Sequence, residues 1–217
     1  VTLRMQGQKP RDARATGSAG LRRDAAENRA RLLQAAERVF AERGTDVSME
    51  DIARAAGVGP ATLYRRFPNK EALVAEVLTA FFSRLIALAE QAATQPATTC
   101  LDTYLVTVGW ELAANRGLVH GAWGDLAPHT LVTELETKTG RILERAQSGG
   151  GIDAQVTVGD IAAAVWALRG IIHTSAHAAP DAWRRHITYL LAGFHKNVDH
   201  STRALTPEQI TSTVTPR

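Results

Sequence analysis

Cysteine is nearly absent: Cys100 stands alone in 217 residues. No intrachain disulfide can form, which points to a reducing, cytoplasmic setting. Charged or polar residues interrupt every apolar stretch, and none reaches the roughly 18 consecutive apolar residues of a membrane helix, so no span is expected. The first residues carry positive charge without an apolar run, so no secretory signal is expected. Val1 in place of Met suggests a nonstandard start codon, with Met5 as the alternative beginning. Catalytic signatures are missing as well. There is no G-x-S-x-G, no phosphate-binding G-x-x-x-x-G-K-[ST] and no H-E-x-x-H, and the Gly57-Val58-Gly59 turn lies between helices rather than after a strand. An enzyme is therefore not expected, and neither is a cofactor. His173 and His177 stand four apart on one helical face, but no cysteine or acidic residue is placed to complete a ligand set, so no metal is expected.

What is present is asymmetric. The net charge is +3, yet residues 1–70 hold 14 Lys/Arg against 8 Asp/Glu while residues 71–217 hold 11 against 14. The first third is suited to approach a polyanion, unless this is merely a solvated basic face. A hydrophobic fraction of 45% is ordinary for a globular chain.

Residues 1–22 have no apolar periodicity and are predicted to be a disordered basic arm. Lys9, Arg11, Arg14, Arg22 and Arg23 make it either a tether to DNA or a plain solvated tail. From Asp24 to Arg43 the apolar positions Leu32, Leu33, Ala36, Val39 and Phe40 follow a helical period that Gly44 ends. Ser48 and Asp51 form a capping pattern for a second helix that stops at Gly57. After the turn, Gly59 is placed as the N-cap and Pro60 in the first turn of a third helix. There Leu63 and Phe67 face inward, leaving Ala61, Thr62, Tyr64, Arg65 and Arg66 outward. Pro68 stops that helix, and Asn69 caps a fourth. Two short helices about a glycine-flanked turn, in a basic neighbourhood, are a helix-turn-helix pattern.

The stretches ARLLQAAERVFAERG and SMEDIARAAGVGPATLYRRFPNKEAL, within Glu27 to Leu78, resemble the amino-terminal domain of the tetracycline-repressor (TetR) family of bacterial regulators. The resemblance implies that Ser48, Tyr64 and Lys70 hold phosphates and that Gly59, Pro60, Ala61, Thr62 and Arg65 lie near bases. Two positions depart from it: Gly59 stands where a serine or threonine is common, and Arg66 where a histidine is frequent. A helix-turn-helix domain over residues 23–69 and a ligand-binding and dimerisation domain over residues 70–196 follow from the same resemblance, all-α throughout, with a disordered tail over 197–217.

The body reads as helices. Glu71 to about Gln95 carries a broad apolar stripe that Pro96 ends; the resemblance makes it the link between domains. Thr98 to Ala114 is a further helix, 115–128 a broken segment with a short helix, and Pro128 to about Ala146 a helix with Leu131, Leu135, Ile142 and Leu143 inside and Glu134, Glu136, Lys138 and Arg141 outside. Thr157 and Asp160 cap the next helix. The stripes Ile161, Val165, Leu168, Ile172 and Trp183, Ile187, Leu190, Leu191, Phe194 run along the last two helices; the resemblance implies that these pair with a second copy as a four-helix bundle, and the alternative is that both stripes complete the subunit's own core. Tyr104, Trp110, His120, Trp123, Trp166 and His173 fall where the resemblance implies a ligand cavity, and aromatic walls suit a small apolar or aromatic compound.

These features predict a homodimer that binds operator DNA and is released by a small-molecule effector, that is, a repressor. The alternatives are an activator, or a ligand-binding module without sequence-specific DNA binding.

Overall fold

Apolar side chains at helical spacing close into one continuous core, running from Leu32 at the amino-terminal end to Leu191 near the other. The computed structural model describes residues 13–122, 126–195, 204–206 and 209–210, with side chains from residue 27 onward except at 121 and 122. Nine α-helices and no strand occur among these residues. They are α1 (Ala13–Arg43), α2 (Met49–Ala55), α3 (Pro60–Arg66), α4 (Lys70–Ala93), α5 (Cys100–Ala114), α6 (Arg116–Ala122), α7 (His129–Ser148), α8 (Val158–Ser175) and α9 (Ala182–Phe194). The expected all-α class is what the chain adopts.

Local chemistry sets the boundaries. Ser48 accepts from the Asp51 amide at 3.1 Å and Asn69 from the Ala72 amide at 2.8 Å, each satisfying a donor that a helix start leaves open. At α8 the capping box is reciprocal, with the Thr157 hydroxyl accepting from the Asp160 amide and the Asp160 carboxylate from the Thr157 amide. Gly44 and Gly57 take φ of +77° and +67°, a region where a side chain is strained. Those two residues turn the chain from α1 toward α2 and from α2 toward α3.

α4 is the axis of the fold. Leu73, Val74, Val77, Leu78, Phe81, Phe82, Leu85 and Ile86 form a buried stripe along it, and it packs against α1, α5 and α7. By length and composition α4 also meets the measure for a membrane span, with a mean hydropathy of 1.8, where the sequence suggests none. Its apolar face is spent on the core. Arg84 projects from α4 between Glu37 of α1 at 2.5 Å and Glu111 of α5 at 3.4 Å, tying both helices to it.

Three expectations need correction. α1 begins at Ala13, inside the predicted disordered arm; its added turns hold three alanines and three arginines, which favour a helix, alongside two glycines, which do not, and extending an existing helix needs no new nucleus. Residues 1–12 lie outside the described residues. In the predicted disordered tail, Ile210 is buried and Leu205 lies over Gly159 so closely that a Cβ there would stand 2.5 Å from the Leu205 carbonyl oxygen. Apolar residues isolated in a polar stretch carry no periodic signal, yet each still gains by leaving water; 196–203, 207–208 and 211–217 lie outside the described residues. Finally, Glu136, expected on the outer face of α7, lines a cavity.

Candidate functional site

The amino-terminal surface is built by α2 and α3. Leu63 is fully buried and Phe67 nearly so, and Val58 packs partly against the same core, so one face of α3 is clamped. The other face leaves Gly59, Pro60, Ala61, Tyr64, Arg65 and Arg66 exposed and Thr62 half-buried. Gly59 is the N-cap of α3 and offers no side-chain hydrogen bond. Ser48 is exposed at the start of α2, and Lys70, half-buried, opens α4. The residues named from the sequence are thus all at least partly accessible to solvent.

Sequence reasoning missed one member of that surface. The Tyr64 hydroxyl donates to the Glu50 carboxylate at 3.3 Å, and partial desolvation together with that carboxylate raises the phenol above its usual range. Behind it, Asp51 accepts from Arg54 at 2.7 Å and faces Arg43 at 3.6 Å. The Ser48 hydrogen bond and then these arginines hold its carboxyl below the ordinary value.

The body residues expected around one cavity divide between two. His120, Trp166 and His173 line a cavity of about 280 Å³ between α5, α6 and α8, with Arg116 and Arg169 in its wall. The imidazoles of His120 and His173 stack, their centroids 3.4 Å apart and 9° from parallel. Arg169 donates to the Val119 carbonyl at 2.9 Å, and burial pushes its guanidinium down to about 10. Tyr104 and Trp166 line a second cavity of about 90 Å³ between α4, α5, α7 and α8. There the Tyr104 and Thr139 hydroxyls bond each other at 3.1 Å, and desolvation raises the phenol to about 12. Trp110 joins neither; it is 48% exposed, sits edge-on to Trp183 at 5.1 Å and lies under the Arg184 guanidinium at 5.2 Å. Trp123 lies outside the described residues. Among the described residues no three His, Cys, Asp or Glu side chains gather as a metal site.

The stripes expected at a subunit interface are differently placed. Ile161, Leu168, Ile172, Trp183, Ile187 and Leu191 are buried within this subunit, and Val165 lines the smaller cavity. Leu190 and Phe194 are half-buried. Periodicity identifies an apolar face but not what covers it, and here the chain's own α5, α6 and α7, together with the packing of α8 on α9, do. The opposite face of α8 shows Ala163, Ala167, Gly170 and Thr174 to solvent, and α9 shows Tyr189 and Ala192.

Comparison with known proteins agrees with this architecture. Residues 32–77 match the family described as bacterial regulatory proteins, tetR family. An HTH-type transcriptional regulator of Staphylococcus aureus is 44% identical over 54 residues, covering 24% of this chain and 29% of that relative. The match therefore spans under a third of the curated relative's length. Solved structures extend the likeness through the body. A TetR transcription regulatory protein from Mycobacterium vanbaalenii is 32% identical with a TM-score of 0.60, over 80% of this chain and 98% of that one. A TetR transcriptional regulator from Streptomyces coelicolor is 28% identical with a TM-score of 0.59, over 78% and 99%. With the helix-turn-helix surface, the all-helical body and a likeness that runs nearly the full length of a solved relative, the chain belongs to the TetR family of transcriptional regulators.

Proposed function

We propose that this protein is a ligand-responsive, DNA-binding repressor that acts as a homodimer on a pseudo-palindromic operator. The observation that carries the reading is the division of α3: Leu63 is locked in the core beside α4, while Tyr64, Arg65 and Arg66 stand exposed on a basic end of the molecule. A short, rigidly backed helix bearing arginines suits major-groove insertion. Arg65 suits a guanine edge, and Ser48, Tyr64 and Lys70 suit phosphates; Gly59, Pro60, Ala61 and Thr62 are small enough to approach bases closely. Arg66 is exposed beside Arg65 and adds a second guanidinium to the same surface.

Two-fold pairing would place a second α3 one helical turn of DNA away. The outward stripe of α8, with its small residues Ala163, Ala167 and Gly170, allows close helix approach and replaces the buried residues first expected there. The body cavities supply the effector site. α4 contributes Phe82 to the smaller cavity and carries Lys70 at its start, so a ligand that shifts α4 would change the spacing of the two reading heads and lower operator affinity by linkage.

Selection of bound sites from random double-stranded DNA tests the reading. An enriched inverted repeat is the expected result. Salt-sensitive binding with no enriched motif would overturn sequence-specific regulation and favour a ligand-binding module instead.

A further inference from the structure

Apart from the indole N–H of Trp166, the cavity beneath Ile210 has three polar side chains, and two of them satisfy each other: the hydroxyls of Tyr104 and Thr139. The third is Glu136. Its Oε1 is buried and has no hydrogen-bond partner, and no Lys, Arg or His is among the described residues that line the cavity. Leaving such an oxygen buried and unpaired is costly, and a carboxylate more so than a neutral group. Desolvation accordingly raises the Glu136 carboxyl above its usual value. A ligand carrying a positive N–H donor would relieve that cost, whereas an anion of the same size would add to it.

The walls suit the rest of such a ligand. Phe82, Tyr104 and Trp166 are aromatic faces for an apolar body, and rings of this kind also attract a cation. Glu136 and Ile210 line both this cavity of about 90 Å³ and an outer groove of about 540 Å³ that also includes Gly159 and Leu205 and, besides Glu136, carries one charge of each sign, Arg141 and Glu144. An inner apolar chamber, a carboxylate at its rim and an open groove beyond together define an amphipathic ligand with its charge between two parts.

We propose that the effector of this protein is a lipophilic amine whose ammonium group is held by Glu136, its apolar end lying in the chamber walled by Phe82, Tyr104 and Trp166. The assignment rests on the body cavity being an effector site.

Three probes of similar size separate the possibilities: 2-phenylethylamine, 2-phenylethanol and phenylacetate, titrated into the full chain by calorimetry. The amine should bind most tightly and phenylacetate least. Glu136→Gln should weaken the amine about tenfold or more, the range of a lost charge-assisted hydrogen bond, and leave the alcohol nearly unchanged. Val165→Trp, which fills the chamber, should abolish binding of both. Equal affinity for amine and acid, or an amine affinity unmoved by Glu136→Gln, would overturn the proposal while leaving the cavity a ligand site. Failure of all three probes to bind the folded wild-type chain would overturn it too. Amine binding through Glu136 with operator affinity unchanged would uphold the site and reject its role as effector site.

Discussion

Tyr64 on α3 donates its hydroxyl to Glu50 on α2, 3.3 Å away. The pair sets a negative charge beside the phenol proposed to meet a DNA phosphate. Binding must then exchange one anionic acceptor for another, and the carboxylate left behind repels the backbone.

Glu50→Gln should therefore tighten binding to specific and random DNA alike. Tyr64→Phe should weaken both several-fold. Arg65→Ala should instead relax base preference, by about 1–3 kcal/mol at the base it reads. Titrations against operator and random duplexes over a range of salt separate these effects. An unchanged base preference in Arg65→Ala would remove that residue from the reading surface.

Gly117 is the seat of α6 on the end of α1. A Cβ there would overlap the Phe40 carbonyl oxygen, the Gly44 amide nitrogen and the Ala41 carbonyl oxygen. All three are backbone atoms and cannot swing aside as side chains do. Gly117→Ala should destabilise the fold by about 1–3 kcal/mol, the usual cost of overpacking, read from the midpoint of urea unfolding. Gly193→Ala, within α9, meets open space and serves as the control, neutral or slightly stabilising because alanine favours the helix.

His195 joins α9 to the start of α5. Its Nε2 lies 2.8 Å from an Asp102 carboxylate oxygen, and its Nδ1 faces the Gly151 carbonyl. Both partners accept, so the ring binds best when both nitrogens carry protons. The Asp102 hydrogen bond is the main cause of its raised pKa. A raised folded value means that the stabilisation is complete below the unfolded pKa of about 6.5 and is lost as pH rises through the folded one. The side chains are 35% and 32% exposed, and screening should hold the effect below about 1 kcal/mol. Denaturation at mildly acidic and mildly alkaline pH should show wild type losing more stability than His195→Leu over that interval; parallel profiles would exclude the linkage.

The outer face of α8 and its inner face should respond differently to charge. Ala167→Glu, at an exposed position, should give a folded monomer by sedimentation with helical circular dichroism retained. Leu168→Glu, at a fully buried position one residue on, should unfold the chain, because an unpaired charge would enter the core. A stable dimer in Ala167→Glu would move the interface elsewhere.

Much of the amino-terminal unit is legible in the sequence because its determinants are local. Ser48 with Asp51, Asn69, Pro60 and the glycines at 44 and 57 act within a few residues of themselves, and the structure uses each as a cap or turn. The exposed set on α3 follows from helical spacing once Leu63 and Phe67 are known to face inward. The body is less legible. The charge of Glu136 argues for the surface, but it lies four residues after Val132 and three before Thr139, both buried, and helical spacing turns it toward the same side, where it lines a cavity. The start of α1 at Ala13 shows the reverse case, in which a segment with nothing to bury continues a helix already formed.

By itself, the sequence determined where most of the helices lie and stop, and that the first third carries an excess of basic charge, since caps, turns and periodicity depend on neighbours along the chain. Only the tertiary structure decided what each apolar face meets. It turned the stripes of Ile161, Leu168, Trp183 and Ile187 into the subunit's own core, left Ala163 and Ala167 outside, divided His120 and His173 from Tyr104, and brought Ile210 over Glu136. Burial is non-directional and depends on area. An apolar stripe therefore states that it must be covered, while the packing of distant elements determines what covers it.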